Sequence, residues 1–124
     1  TLLSQLPSDL QGVIKQVNKK ATAGDASMSI TTSADKLWLF AEVEIDGTTS
    51  AGYADEGEQY KYWNGTVGAD RIKYLSNGSG SAYQWWLRTS DPPPFYSFRL
   101  FYSTGGISSD AAYYKRGVSF GFCV

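Results

Sequence analysis

The chain has 124 residues, is 42% hydrophobic and 15% aromatic, and carries a formal net charge of -1 from 11 basic and 12 acidic side chains. That length fits one domain, 1-124, around a single core, and the aromatic content excludes disorder. No basic field exists to attract phosphate, so nucleic acid is not an expected partner. No run approaches a membrane span, so membrane insertion is not expected either.

Residues 1 to 20 read as an N-terminal amphipathic helix. Leu3, Leu6, Leu10, Val13, Ile14 and Val17 recur at steps of three and four. Pro7 belongs in a first turn, and Lys15, Lys19 and Lys20 sit toward the C-terminal end, where the helix dipole favours positive charge. "DKLWLFAEVEIDG" reads as a strand, with Leu37, Leu39, Ala41, Val43 and Ile45 alternating with Trp38, Phe40, Glu42 and Glu44. Residues 48 to 84 form a loop-rich excursion with short ordered pieces at "EQYKYW" and "DRIKYL" and a turn at "SNGSGS". "YQWWLR", "FYSFRLFYS" and "GVSFGFCV" read as strands. One helix followed by a small antiparallel sheet and long loops describes an α+β domain.

The sequence offers little catalytic chemistry. Glu42 and Glu44, two apart on a strand, would point the same way, a spacing compatible with a paired-carboxylate hydrolase. The plainer reading is a solvated strand end. There is no histidine to act as a general base, and the one cysteine, Cys123, reads as a small buried apolar residue. "DEGE" at 55 to 58 lacks the spaced oxygen ligands of a calcium loop, although Asp55, Glu56 and Glu58 are the acids a calcium-dependent lectin would use. No P-loop or dinucleotide fingerprint is present. The expectation is a non-enzymatic protein with no cofactor and no metal.

Binding is better supported. Residues 89 to 116 mix Phe95, Tyr96, Phe98, Tyr102, Tyr113 and Tyr114 with serines, glycines and three consecutive prolines. Recognition loops have this composition, because tyrosine gives large contact area at low entropic cost while small polar residues adapt. Between Arg88 and Gly117, only Lys115 belongs to the set Trp, Met, Lys, Glu and Gln, whereas the preceding 88 residues hold 20 of that set. Proportion would give about six in the window. Those five types cannot be reached from an AAC or AAT codon altered at its two adenines, and the other fifteen can. The depletion is what adenine-targeted diversification would leave.

"WWLR", a variable stretch with Phe98, Phe101, Gly105 and Ala112, and a closing "GVSFGFCV" resemble the C-terminal part of variable proteins served by diversity-generating retroelements. "LPSDLQGVIKQV", "DKLWLFAEVEIDG" and "EQYKYW" are similar to the front half of the same domain type. The resemblance implies a C-type lectin fold, on a scaffold related to the formylglycine-generating enzymes, with a stable core beneath a hypervariable ligand-binding surface. It implies that Trp85, Trp86, Arg88, Gly117, Val118, Phe120 and Phe122 are scaffold. Phe98, Phe101, Gly105 and Ala112 would be fixed points in the variable region at about 89-116. The ligand-binding positions it implies are Asp91, Phe95, Tyr96, Arg99, Leu100, Tyr102, Thr104, Ser108, Asp110, Tyr113, Tyr114 and Arg116. "SDPPPF" is an unusual entry to the segment, so the register between Ser90 and Ser97 stays open by a residue or two. The implied partner is a protein or a cell-surface ligand, met from a virion surface or a cell surface. The chain opens on Thr1, which points to a processed or excised piece of a longer protein. A fixed-specificity carbohydrate-binding lectin is the alternative. The sugar-coordinating calcium tripeptides of animal lectins and the cysteine pair of the formylglycine-generating relatives are both absent.

Overall fold

Trp85 and Phe101 stack with ring centroids 5.2 Å apart, and the core is assembled around them. Ile45, Trp63 and Leu87 complete the buried cluster, with Phe40, Tyr60 and Ile107 packed against it. Phe40 meets Tyr60 and Trp63 edge-on. The indole N–H of Trp85 donates to the Arg71 carbonyl at 2.9 Å, so the most buried polar group of the cluster is satisfied. The computed structural model describes residues 1–23, 27–49, 53, 55–93 and 96–124.

The elements in chain order are α1 (Ser8–Val13), β1 (Val17–Thr22), β2 (Ile30–Asp35), β3 (Trp38–Leu39), α2 (Glu42–Asp46), β4 (Lys73–Tyr74), β5 (Ala82–Tyr83), β6 (Trp85–Ser90), β7 (Ser97–Phe101), β8 (Ile107–Ala111) and β9 (Phe120–Gly121). Single 3₁₀ turns lie at Leu3–Gln5, Lys61–Trp63 and Gly68–Arg71. The strands make small antiparallel sheets: β1-β2, β3-β9, β4-β5 and the three-stranded β6-β7-β8. This is an α+β domain with little helix. The "SNGSGS" turn falls where expected, joining β4 to β5.

Three expectations are corrected. The N-terminal helix is short: Ser8–Val13 only, ended at Ile14, after which the Lys15 N–H donates to the Cys123 carbonyl at 2.8 Å. From Val17 the chain is a strand in register with β2, so Lys19 and Lys20 lie on β1 and not at a helix end. The apolar stripe was real, but strand pairing overrides it beyond Ile14. The second correction is the strand expected over 37–45, which is β3 followed by α2. Every residue from Ala41 to Ile45 is buried, so alternation along them carries no information about which side faces water. Gly47 ends α2 in the left-handed region at φ 80°, and Glu44 reaches back to accept the Ala41 N–H at 2.9 Å, the acidic half of a capping box. The third is Cys123, which is exposed. It lies two residues beyond the end of β9, with its backbone paired to Lys15.

Glu44 is the hub beneath these sheets. It accepts from the Lys19 ammonium and, at 2.6 Å, from the Arg88 guanidinium. Arg88 also donates to the carbonyls of Lys20 (2.7 Å), Leu39 (2.7 Å) and Glu56 (3.3 Å). Burial would raise the Glu44 carboxyl, but the hydrogen bonds from Arg88 and Lys19 outweigh it and hold it below its ordinary value of 4.5. Arg88 thus joins β6 to β1, β3 and α2.

Two outcomes follow for stability. Gly105 sits at φ +84° with a would-be Cβ 1.8 Å from the Gly68 carbonyl oxygen. Gly105→Ala therefore loses roughly 2 kcal/mol or more in urea unfolding, from backbone strain and displacement of the 68 loop. Arg88→Met loses roughly 3–5 kcal/mol at neutral pH, because Glu44 stays buried without its main partner. The Glu44 carboxyl is depressed in the folded state, so its contribution is present above its unfolded pKa and is lost as pH falls through its folded one. The gap between Arg88→Met and the parent should accordingly narrow below about pH 4.5; unfolding curves at neutral and acid pH check it.

Candidate functional site

The segment 89–116 runs from the end of β6, through β7 and β8, into the turn after β8. β7 pairs with β8 over its full length, Ser97 opposite Ala111 and Phe101 opposite Ile107. The register between β6 and β7 shifts between Trp86 and Ser90, which leaves extra residues on β6.

Beneath this hairpin lies a continuous polar chain. Arg99 on β7 grips the Glu42 carboxylate with two donors, at 2.8 and 3.2 Å. Its third nitrogen donates to Ser109 Oγ at 3.1 Å, and Ser109 donates to Asp91 at 2.9 Å. Asp91 also accepts from the hydroxyls of Ser97 and Tyr53, while its own N–H donates to the Ser97 carbonyl at 3.0 Å. Burial pushes Asp91 up, but the Ser97, Tyr53 and Ser109 hydrogen bonds prevail and its carboxyl lies below the usual range. Desolvation, with Asp91 beside it, pushes the Tyr53 hydroxyl up to about 12. The Arg99 guanidinium stands 5.4 Å from the Tyr53 ring centroid. A parallel link runs through Thr89, whose Oγ accepts the Glu42 N–H at 2.9 Å and donates to Glu56, which in turn accepts the Thr22 N–H at 2.8 Å.

Above this floor the aromatic side chains are open to solvent. Tyr96 is 91% exposed and Tyr113 80%. Tyr113 and Tyr114 are in contact, ring centroids 4.5 Å apart. Arg116 pairs with Asp110 and lies 5.0 Å over the Tyr114 ring, which fixes that ring from below. The Ala112 N–H donates to the Tyr96 carbonyl at 3.4 Å, so Tyr96 and the Tyr113–Tyr114 turn belong to the same end of the sheet. A hollow of about 260 Å³ opens there between Ser90, Asp91, Tyr96, Ser97, Phe98 and Ala112. A second of about 290 Å³ adjoins it across Phe98 and Ala112, against Leu39, Trp86 and Arg88. The buried Ser90 hydroxyl, on the first hollow, has no hydrogen-bond partner among the described residues.

The twelve positions singled out in the sequence therefore divide. Tyr96, Asp110, Tyr113, Tyr114 and Arg116 gather at one end. Tyr102 and Thr104 are exposed at the β7–β8 turn, at the other end of the same strands. Ser108 is half-buried on β8. Leu100 has no exposed surface, and Asp91 and Arg99 are spent on the polar floor, so these three support the surface and do not face out from it. Phe95 lies outside the described residues. Among the fixed points, Phe101 is fully buried and Gly105 is locked against Gly68, whereas Phe98 and Ala112 are open enough to line the hollows. Gly117 is held on both sides, its N–H donating to the Gln84 carbonyl at 2.7 Å and its own carbonyl accepting the Trp86 N–H at 3.0 Å. Val118 and Phe122 do not behave as buried scaffold; they are 59% and 40% exposed.

Neither rival chemistry finds its geometry. Glu42 and Glu44 are not a solvated strand end and not a carboxylate dyad: both are buried on α2, and each is bound to its own arginine. Glu56 turns inward to Thr22 and Thr89, while Asp55 accepts the Gly57 N–H at 3.1 Å, which leaves no converging calcium cage with Glu58. Among the described residues, no cluster of three or more His, Cys, Asp or Glu side chains is disposed to hold a metal, and no helix is long and apolar enough to cross a membrane. Sequence reading passed over Glu42, Tyr53, Ser97 and Ser109 as parts of the floor. Ser97 and Ser109 were visible only as generic small polar residues, and nothing local marks Tyr53.

No curated protein and no solved structure matches the chain significantly. A family model does match, over residues 1–124: the chain belongs to the family described as Domain of unknown function (DUF6273).

Proposed function

We propose that the chain is a non-enzymatic binding domain that presents residues 89–116 to a protein or other cell-surface ligand. The observation that carries this reading is the pairing of solvent-exposed tyrosines with a fully connected polar floor. Rings open to water at Tyr96, Tyr113 and Tyr114 expose apolar area that a monomer has no structural use for, and a rigid floor removes much of the ordering cost of binding through them. The two adjoining hollows supply concavity, and the orphaned, buried hydroxyl of Ser90 lies beside the first of them. Tyr96, Tyr113 and Tyr114 are the expected anchors, with Arg116 and Asp110 setting the orientation of the last.

The finer reading is a retroelement-diversified surface on a C-type lectin scaffold. The depletion of five amino-acid types in the window supports it, as does the split between residues at the surface and residues beneath it. Sparse helix, small antiparallel sheets and long loops are compatible with that scaffold. Phe101, Gly105 and Gly117, which the resemblance makes invariant, occupy positions where a change would damage the core.

Deep sequencing of the gene across one source population tests the diversification. Substitutions should arise at adenine-bearing codons of exposed positions such as Tyr96, Tyr102, Thr104, Tyr113 and Tyr114, and should spare Phe101, Gly105 and Gly117. A uniform sequence across 89–116 would remove diversification and leave a fixed-specificity binder. For a ligand recovered by panning the displayed domain against cell-surface extracts, Tyr113→Ala and Tyr114→Ala should each weaken binding by about 1 kcal/mol or more while barely moving the melting temperature. Leu100→Ala should do the reverse, with a loss of roughly 2–5 kcal/mol in stability. Loss of stability without loss of binding in the tyrosine variants refutes their role as anchors.

A further inference from the structure

A further concavity has none of the residues 89–116 in its lining. That groove, of about 560 Å³, runs along β9 and the 60–63 turn. Its floor is aromatic, with Phe40, Trp63 and Phe120 side by side. At its rim Tyr62 is 78% exposed, edge-on to Trp63 at 4.8 Å, and Phe122 is 40% exposed. One wall is a run of five consecutive residues, 119 to 123. Among the described residues, the backbone of 119 to 122 makes no hydrogen bond beyond the β3 pairing, so β9 keeps a free edge.

The charge of the groove is one-sided. Lys61 and Lys73 line it, and no acidic side chain does. In a chain with 12 acidic and 11 basic residues, that is a local imbalance. Lys73 is half-buried with its ammonium 5.2 Å from the Trp63 ring centroid and 5.8 Å from that of Trp85. The indoles hold the cation in place without neutralising it. Neither Lys61 nor Lys73 has a carboxylate within ion-pair distance among the described residues, in contrast to Lys19, Arg71, Arg88, Arg99 and Arg116, which all do. A cation placed in a partly desolvated aromatic setting attracts an incoming anion more strongly than one in open water.

We propose that this groove is a second binding site, independent of the 89–116 surface, and that it takes an extended acidic peptide segment. Apolar side chains of the peptide seat on Phe40, Trp63 and Phe120, its carboxylates meet Lys61 and Lys73, and its main chain runs along the free edge of β9. Lys73 lies beside Trp63 in the floor and Lys61 lines the same groove, so a chain that mixes aromatic and acidic residues can bring rings and carboxylates into it together.

The probe is an acetylated, amidated pentapeptide alternating phenylalanine and aspartate, compared with its asparagine counterpart and with N-acetylphenylalanine as a free carboxylate. Calorimetry gives affinity, and amide chemical-shift mapping gives location. The aspartate peptide should bind with shifts confined to residues 38–40, 60–63, 73 and 119–123, and the asparagine peptide about tenfold more weakly, the loss expected for removing charge-assisted contacts. Lys61→Gln and Lys73→Gln should each narrow that gap, and Tyr62→Ala should weaken both peptides. Lys61 and Tyr62 are exposed, so those variants read binding even if Lys73→Gln disturbs the packing of Trp63. Tyr113→Ala with Tyr114→Ala should change nothing here, which keeps this test separate from that of the surface above. Equal affinity for the two peptides, shifts outside the groove, undiminished binding by Lys61→Gln and Lys73→Gln, or a free carboxylate that binds as well as the peptide would each overturn the proposal.

Discussion

The guanidinium of Arg88 holds this domain's pieces to one another. An isolated two-stranded ribbon is marginal by itself, and the described residues form three such ribbons and one three-stranded sheet. They cannot borrow stability through backbone ladders, because few ladders cross between them. Arg88 supplies the crossing. From β6 it reaches the carbonyls of Lys20 on β1 and Leu39 on β3, the carboxylate of Glu44 on α2 and the carbonyl of Glu56. Arginine suits this position because its planar fork offers five donors in fixed directions and stays charged at any relevant pH. A buried pair of this kind adds little net stability compared with a well-packed apolar substitute. Its effect is geometric, fixing where each sheet sits, and the stacked Trp85–Phe101 core then fills the space so defined.

The same device recurs one layer out. Glu42, two residues before Glu44, holds Arg99, and from Arg99 the hydrogen bonds pass through Ser109 to Asp91, Ser97 and Tyr53. α2 thus presents one carboxylate to Arg88 on β6 and a second to Arg99 on β7. Because every member has a partner, the hairpin is stiff although its outward side chains are uncovered. Stiffness from below is what permits freedom above: changing an exposed tyrosine removes no contact that the floor needs.

Legibility followed the interactions that are local. Trp85 to Arg88 was readable as a strand and "SNGSGS" as a turn, since propensity and turn chemistry decide both. The stretch from Leu37 to Ile45 misled because its alternation was sampled in a segment buried on every side, where Glu42 and Glu44 are paired rather than solvated. A short helix with two glutamates in its first turn and Gly47 after it carries the proper terminal signals, but the apolar period of two drowned them. The apolar stripe of residues 3 to 17 spans a turn, a short helix and the start of a strand; partners for Lys15 and Val17 at Cys123 and Asp35 are distant in sequence. For the candidate site, composition located the segment but could not separate Leu100, Asp91 and Arg99 from their outward neighbours. That separation depends on the strand faces and on Glu42 and Tyr53, which lie far upstream.

The two surfaces differ in the way their residues could change. Tyrosines at 96, 113 and 114 touch one another, Arg116 or solvent, so substitution there alters contact chemistry and leaves the core intact. The groove at β9 has no such latitude. Phe40 and Trp63 are also core or core-facing residues, Lys73 is held by Trp63 and Trp85, and Gly121 backs onto the Trp38 indole, where a Cβ would come within 2.8 Å. A residue that serves the core and a groove at once cannot vary for one without harming the other. On the proposed reading, the groove therefore suits a partner that stays the same and the tyrosine surface partners that differ. Lys61, Trp63 and Lys73 belong to the amino-acid types depleted between residues 89 and 116; the composition of the chain divides along the same line as its packing.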